Sequence, residues 1–325
     1  MSQWGFRADV FAILRTFAIC FGLLVEVPAL AETPAPLEQL RQMAHSLRAL
    51  DYEGSFIYQS GARVDTLRIV HSASGDESEL LTRLSGPHSE ATRHGQSITV
   101  NQDGKAPVSF AAGATARLLP LVPADAASLP NNNYRLRMTE PDRVAGYDTN
   151  VVDIAATDAY RYSYRLWLDT KHQLPLRVAV LDGNQRTIEQ YMFVMFSIGS
   201  VLADKGLDAS APIISPAVVV TLGGSARWLV NDVPKGYSLR ARQAMSTGKD
   251  GEQLVFSDGL ASVSAYIELT PEPISDDVAL SRGAMNVYIH RDGGWRFTVL
   301  GNVPAATVQR IAVSITAVPD RTNPN

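Results

Sequence analysis

RVAGYDTNVVDIAATDAYRYSYRLWLDTKHQLPLRVAVLDGNQRTIEQYMFVMF, residues 143–196, decides the fold, because most of it alternates with period two. Tyr162, Tyr164, Leu166 and Leu168 fall on one side of a strand; Arg161, Ser163, Arg165, Trp167 and Asp169 fall on the other. After a turn at Asp169–Gln173 the pattern resumes at Leu176, Val178 and Val180. Asp182–Asn184 carries the Asp-Gly signal of a tight hairpin, and Ile188, Gln190, Met192, Val194 and Phe196 then line one face of a third strand. Three antiparallel strands in series form a meander. Aromatic residues fall on both of its sides, whereas a sheet with one buried face is polar on the other. The segment therefore reads as a helix-covered sheet or as a concave, partly open barrel.

Upstream, Leu37, Leu40, Met43, Ala44, Leu47 and Leu50 recur at helical spacing and predict an amphipathic helix over 34–50. From Tyr52 the period becomes two, with Tyr52, Phe56 and Tyr58 on one face and Gly54 between them. Leu67–His71, Glu79–Leu84 and Ser97–Gln102 read as short strands. Residues 105–133 hold five prolines and glycines around the apolar Leu118, Leu119, Leu121 and Val122. They read either as a functional lid or as a short helix over the sheet. Residues 203–216 lose all periodicity and read as a linker. Beyond it, strands are predicted at Ala217–Leu222, Arg227–Val230, Ser238–Ala244, Gln253–Ser257, Ala261–Leu269, Asn286–Arg291 and Trp295–Leu300. Pro304 opens a helix over Val303–Ile315.

The N-terminus bounds the compartment. Arg7 and Arg15 precede an apolar run from Thr16 to Val25, too short for the ~20 residues of a membrane span. Ala29-Leu30-Ala31 then offers a cleavage site, so residues 1–31 read as a secretory signal peptide. The single cysteine, Cys20, lies inside the apolar run, with Ile19 where a lipoprotein signal wants a small residue. Disulfides, zinc–thiolate sites and thiol nucleophiles are thereby excluded from the exported chain. A formal net charge of −4 gives no footprint for nucleic acid. The expected product is a soluble exported protein of two domains, 32–202 and 217–318, with a tail at 319–325.

Enzyme motifs are absent: no His-Glu-x-x-His, no Gly-x-Ser-x-Gly, no phosphate-cradling or dinucleotide glycine loop. His88-Ser89-Glu90 lacks the cysteine pair that deaminase chemistry needs, and His88, Glu90 and His94 read as solvated turn residues rather than metal ligands. Asp276-Asp277 suits the first turn of a helix. No cofactor or metal is expected, and binding is the function left. Phe56, Tyr58, Trp167 and Phe193 are the candidates for an apolar acyl-chain site, with Arg161 and Arg165, four apart on one strand, able to meet phosphates. In the second domain Tyr266, Tyr288 and Arg291 alternate away from Phe256 and Phe297 and are the candidate partner contacts.

Four segments carry a family resemblance: YRYSYRLWLD-x4-LPLRVAVLD from residue 160, YEGSFIYQSG from 52, FSDGLASVSAYIE from 256 and GNVPAATVQRIAVSI from 301. In this order they resemble the RseB/MucB family. The resemblance implies an α+β protein: an N-terminal unclosed antiparallel β-barrel of the LolA/LppX type with covering helices, then a smaller C-terminal α+β domain. It implies a periplasmic negative regulator of the sigma-E type envelope stress response. Such a protein binds the periplasmic segment of a membrane anti-sigma factor (RseA/MucA type), lies at the inner membrane through that partner, and shields it from proteolysis until lipid or lipopolysaccharide releases it. A periplasmic lipid or lipoprotein carrier is the competing reading, and a carrier needs only the first domain.

Overall fold

The computed structural model describes residues 35–111, 117–122, 132–199, 227–245, 251–270 and 276–318. The expected signal peptide, the linker 203–216, the strand at 217–222 and the tail 319–325 lie outside them. The three-strand meander is present as β9 (Ser163–Asp169), β10 (Pro175–Leu181) and β11 (Thr187–Ile198). It belongs to an eleven-stranded antiparallel sheet of unusual order. Five strands run outward from β11 to β7 (Tyr134–Val144), through β8 (Tyr147–Ala156). Six run outward on the other side, from β1 (Tyr52–Ser60) through β2 (Arg63–Ser72), β3 (Ser78–Arg83), β4 (Ser89–His94) and β5 (Ser97–Gln102) to β6 (Val108–Ala111). The two meanders join where β1 pairs with β11.

Register separates the faces, because directly opposed residues on neighbouring strands share one. Tyr58 faces Tyr191, Phe56 faces Phe193, Tyr191 faces Val178, and Val178 faces Leu166. This inner face is the core. Phe56 packs edge-on against Tyr191 and Phe193 at 5.6 and 5.3 Å. Helix α1 (Pro36–Ala49) adds Leu40, Met43 and Leu47 to the same cluster. Proline in its first turn starts it, and Leu50 in extended conformation ends it. The sheet curls: the Tyr147 hydroxyl of β8 donates to the Phe196 carbonyl of β11, three strands away, at 3.0 Å. Its end strands β6 and β7 pair with no further strand among the described residues, so the barrel is unclosed, as expected.

Several local expectations are corrected. The outer face is mainly polar: Gln59 accepts from Gln190, Gln190 accepts from Arg177, and Asp153 accepts from Arg165 and Arg137. Trp167 is its large aromatic, and it is capped rather than bare. In β11 the alternation breaks at Val194, the extra residue of a bulge between Ser55 and Phe56 of the partner strand. Phe196 thereby joins Phe193 on the inner face, ring centres 4.9 Å apart, instead of sharing a face with Met192. The Asp182 turn is not a two-residue hairpin. Its left-handed residue is Gln185 at φ +62, and Asp182 Oδ1 accepts the amides of Asn184 and Arg186. The tight turn is Ala145-Gly146, φ +50 and +87, between β7 and β8. The residues around His88 and His94 form a strand, β6 lies within the segment 105–133 read as irregular, and β7 follows it.

The second half forms a six-stranded antiparallel sheet. Its order is β13 (Ser238–Ala244), β14 (Glu252–Ser257), β15 (Ser262–Leu269), β18 (Trp295–Gly301), β17 (Met285–Asp292) and β16 (Val278–Arg282). Helix α2 (Ala305–Ala312) covers one face with Val308, Ile311 and Ala312, over Phe256, Val263, Ile267, Phe297 and Val299. A ribbon of β12 (Trp228–Val230) and β19 (Ile315–Ala317) borders it, so Ile315 belongs to a strand and not to the helix. Asp276-Asp277 opens no helix. Asp277 precedes β16 and accepts from the Tyr288 hydroxyl and from His290 Nδ1, both at 2.9 Å. Pro34–Asn325 forms one compact unit, and no helix among the described residues is long and apolar enough to cross a membrane.

Candidate functional site

The structure does not gather the predicted lipid-site residues into one place. Phe56 and Phe193 are core, fully packed on the inner face. Tyr58, at the far end of that face, is half-buried and lines a cavity of about 510 Å³. Trp167 and Arg165 are on the outer face. Trp167 Nε1 donates to Asp142 Oδ2 at 2.9 Å while the Arg177 guanidinium lies 4.1 Å above the ring. Arg165 is held by Asp153, a charge-assisted bond of 2.6 Å. Arg161 is not a strand neighbour of Arg165 at all. It precedes β9, is fully buried, and points at the second sheet.

The candidate partner residues also divide. Tyr266 stands on the face of the six-stranded sheet away from α2, its hydroxyl accepting from Gln253 Nε2 at 3.0 Å. Arg291 opposes Arg296 on that same face. Tyr288 opposes Val299 and so lies on the helix-covered side, tied to Asp277 and packed at the rim of the core.

The cavity beside Tyr58 lies where the two sheets meet. Tyr58, Leu67, Leu81, Leu121 and Met285 give it apolar walls; Arg63, Arg83 and Arg282 bring three cations, and Asp65 and Glu189 two anions. Arg63 and Arg83 both reach Asp65, at 2.7 and 3.9 Å, leaving the site with a positive excess. A second cavity of about 360 Å³ shares Leu121, Met285 and Asn302 with the first and reaches Tyr164, Val180 and Leu300. Glu189, almost fully buried, accepts from Ser60 Oγ at 2.8 Å and from the Ala284 amide at 3.0 Å. Burial and this carboxylate together push the Tyr58 hydroxyl up to about 12, so the phenol is a neutral donor at the wall. The pair of cavities can take an apolar chain with an acidic end.

Sequence reasoning missed a junction of buried polar groups. Asp258, in the turn between β14 and β15, is completely buried and meets Arg161 at 3.3 Å. The Tyr134 hydroxyl donates to Asp258 Oδ2 at 2.9 Å, and burial followed by that carboxylate holds the phenol far above its ordinary range. Asn286 donates to the Tyr162 hydroxyl at 3.0 Å. No local pattern announces these pairs; the members of the two hydrogen-bonded ones lie 124 residues apart.

A third cluster joins His71, Glu77 and Glu79, which among the described residues is the group able to converge on a metal ion. Its carboxylates are already taken: Arg93 meets Glu77 and Glu79 at 2.8 and 2.9 Å, and Arg117 meets Glu77 at 3.3 Å. Two guanidinium groups in the same pocket oppose a further cation, and the donor set fits an ion-pair network better. Glu79 Oε2 also accepts the Leu118 amide, tying residues 117–122 to the sheet.

The MucB/RseB N-terminal domain matches residues 35–211 and the MucB/RseB C-terminal domain matches residues 223–316. The sigma-E factor regulatory protein RseB of Escherichia coli K12 is 30% identical over 292 residues, 87% of this chain and 91% of that protein. The sigma factor AlgU regulatory protein MucB of Pseudomonas aeruginosa is 29% identical over 311 residues, 91% of this chain and 95% of that one. The solved MucA/MucB complex of P. aeruginosa contains a chain that superposes with a TM-score of 0.69 at 26% identity, covering 88% of this chain and 99% of that one. A crystal structure of MucB with MucA(peri) gives 0.68 over 88% of this chain and 100% of that one, and a crystal structure of MucB gives 0.59 over 87% and 98%. Both halves match in order, over residues 35–211 and 223–316: the chain belongs to the MucB/RseB family.

Proposed function

We propose that this chain is a periplasmic, non-enzymatic negative regulator of a sigma-E type stress response. In this reading it binds the periplasmic segment of a membrane anti-sigma factor and shields it from the first proteolytic cut. The observation that carries the reading is the presence, in order, of both family domains, since relatives with both are named as sigma factor regulators and one is solved with MucA. A carrier of lipid or lipoprotein would need only the eleven-stranded sheet. The signal at residues 1–31 supports export to the periplasm. The division into two domains about the segment 203–216 belongs to the same proposal, as does the use of Tyr266 and Arg291 as partner contacts.

The test is protection. The full mature protein, mixed with the anti-sigma periplasmic segment and the envelope protease that makes the first cut, is expected to slow cleavage in proportion to its concentration. Cleavage at an unchanged rate with the protein in excess would overturn the reading.

A second ligand is supported by one observation, the paired cavities with apolar walls and three arginines at the junction of the sheets. An acyl chain with an anionic headgroup fits that chemistry, as lipopolysaccharide or another lipid would provide. Of the residues first considered for it, Tyr58 is the one that lines the space. Titrating the protein–segment complex with such an amphiphile should restore cleavage; a complex indifferent to it would remove the lipid arm.

A further inference from the structure

We infer that Arg161 and Asp258 are positioning residues: their buried contact sets the geometry at which the two sheets are presented to the anti-sigma segment. This rests on the function proposed above.

Asp258 has two separate tasks. Its Oδ1 accepts the amides of Leu260 and Ala261, at 3.0 and 2.9 Å, and so shapes its own hairpin. Its Oδ2 turns to the other sheet, toward Arg161 Nε and the Tyr134 hydroxyl. The Arg161 guanidinium lies between the rings of Tyr134 and Tyr237, 5.6 and 5.2 Å from their centres, and donates to the Lys235 carbonyl at 2.7 Å. The loop that carries Arg161 is gripped from the second half as well, because the Tyr237 hydroxyl and Thr307 Oγ1 both donate to the Tyr160 carbonyl.

Two glycines mark how closely the halves approach. A β-carbon on Gly236, φ +91, would collide with the Asn133 side chain, and one on Gly283, φ +59, with Glu189 and Ser60. Each is a contact between a residue of the second half and one of the first.

A contact of this composition specifies geometry more than it adds stability. Apolar patches tolerate sliding, while the charge-assisted bonds from Tyr134 to Asp258 and from Arg161 Nη2 to the Lys235 carbonyl are directional, and the Arg161–Asp258 contact between them is an ion pair without a hydrogen bond from Nε. A buried ion pair gains little over an apolar replacement, and Arg161 also has Asp158 at 3.5 Å, so what Asp258 adds is the tie to the second sheet rather than neutralisation alone. Interfaces between halves of a chain permit relative motion by default unless they are large and hydrophobic. Here the junction has the makings of a lock with one working position.

The experiment uses the full mature chain with spin labels at Lys171→Cys and Arg240→Cys, exposed positions on the two halves. Pulsed dipolar spectroscopy reads the distance between them, and fluorescence anisotropy reads affinity for the anti-sigma periplasmic segment. Asp258→Asn keeps an oxygen for its own turn and replaces the oxygen that faces Arg161 and Tyr134 with an amide. The expected result is one narrow distance in the parent, a broadened distribution in Asp258→Asn, and at least a tenfold loss of affinity with both sheets still folded by circular dichroism. Should Asp258→Asn not fold, Tyr134→Phe, which removes one hydroxyl, decides by the same two readouts with a loss of about threefold, equivalent to roughly 0.7 kcal/mol. An unchanged distance, or a broadened one with unchanged affinity, overturns the inference. A parent that does not bind the segment overturns the proposed function instead, and the distance alone then judges the lock.

Discussion

Gly54 has no room for a side chain. A β-carbon there would come within 2.5 Å of the Phe193 ring and 2.6 Å of the Met195 carbonyl oxygen, beside the aromatic cluster of the core. Gly54→Ala is expected to cost about 1–3 kcal/mol through overpacking, seen as a lower urea midpoint with an unchanged slope. Tyr58 and Trp167 separate the cavity from the outer face. Tyr58→Ala should weaken binding of a single-chain anionic amphiphile about fivefold, the equivalent of one lost contact of ~1 kcal/mol, whereas Trp167→Phe should leave it unchanged. A fluorescence titration giving the reverse order would place the ligand on the outer face. Residue types were readable in the sequence here and their company was not. Arg161 looks like any strand arginine until the fold brings Asp258 to it, and Glu189 gives no sign that Ser60 and Ala284 will occupy its carboxylate.

Elements were legible where the chain itself supplies the pattern. The β9–β11 meander and both helices have a period set by a face buried within one segment. β4, SEATRH, has none, because its buried member is Arg93, whose partners Glu77 and Glu79 come from the neighbouring strand and loop. β7 is an end strand with Pro141 near its bulge, and its exposed positions hide the alternation. Two ion-pair networks, one around Glu77 beside β3 and β4 and one around Asp153 on β8, make stability depend on acid. For Glu77, burial raises the carboxyl, but the His71 hydrogen bond and the charges of Arg117 and Arg93 outweigh it and hold it below its ordinary value. For Asp153, burial likewise raises it, and the bonds from Arg165 and Arg137 win. Both folded values lie below the unfolded ones. Their contribution is therefore complete above the ordinary carboxylate range of roughly pH 4 and is lost as pH falls through the lowered values. Glu77→Gln and Asp153→Asn together should lower stability at neutral pH and flatten its decline between about pH 5 and pH 2. Thermal melts across that range check it; an undiminished slope would assign acid sensitivity to other groups.

At the scale of the molecule, each sheet has its own hydrophobic cluster, the first reaching Ala284 and Leu260 of the second half, and the two share the polar junction around Arg161. The parent chain is expected to unfold in one thermal transition, and Asp258→Asn in two, since the junction is what couples clusters that could otherwise melt alone. Calorimetry distinguishes the cases, and two transitions in the parent would mean the junction transmits little. The order of the eleven-stranded sheet has a consequence for how the protein is made. Its two meanders are local in sequence, yet the seam between them bonds Gln190 to Gln59 across 131 residues. A chain delivered N-terminus first completes β1–β6 long before β11 arrives, so the nine-residue β1 must wait with one edge bare. Non-local pairing of this kind folds slowly, because the loop entropy is lost before the contact is gained. The interval between synthesis of β1 and arrival of β11 is thus when this protein is most open to pairing with the wrong strand.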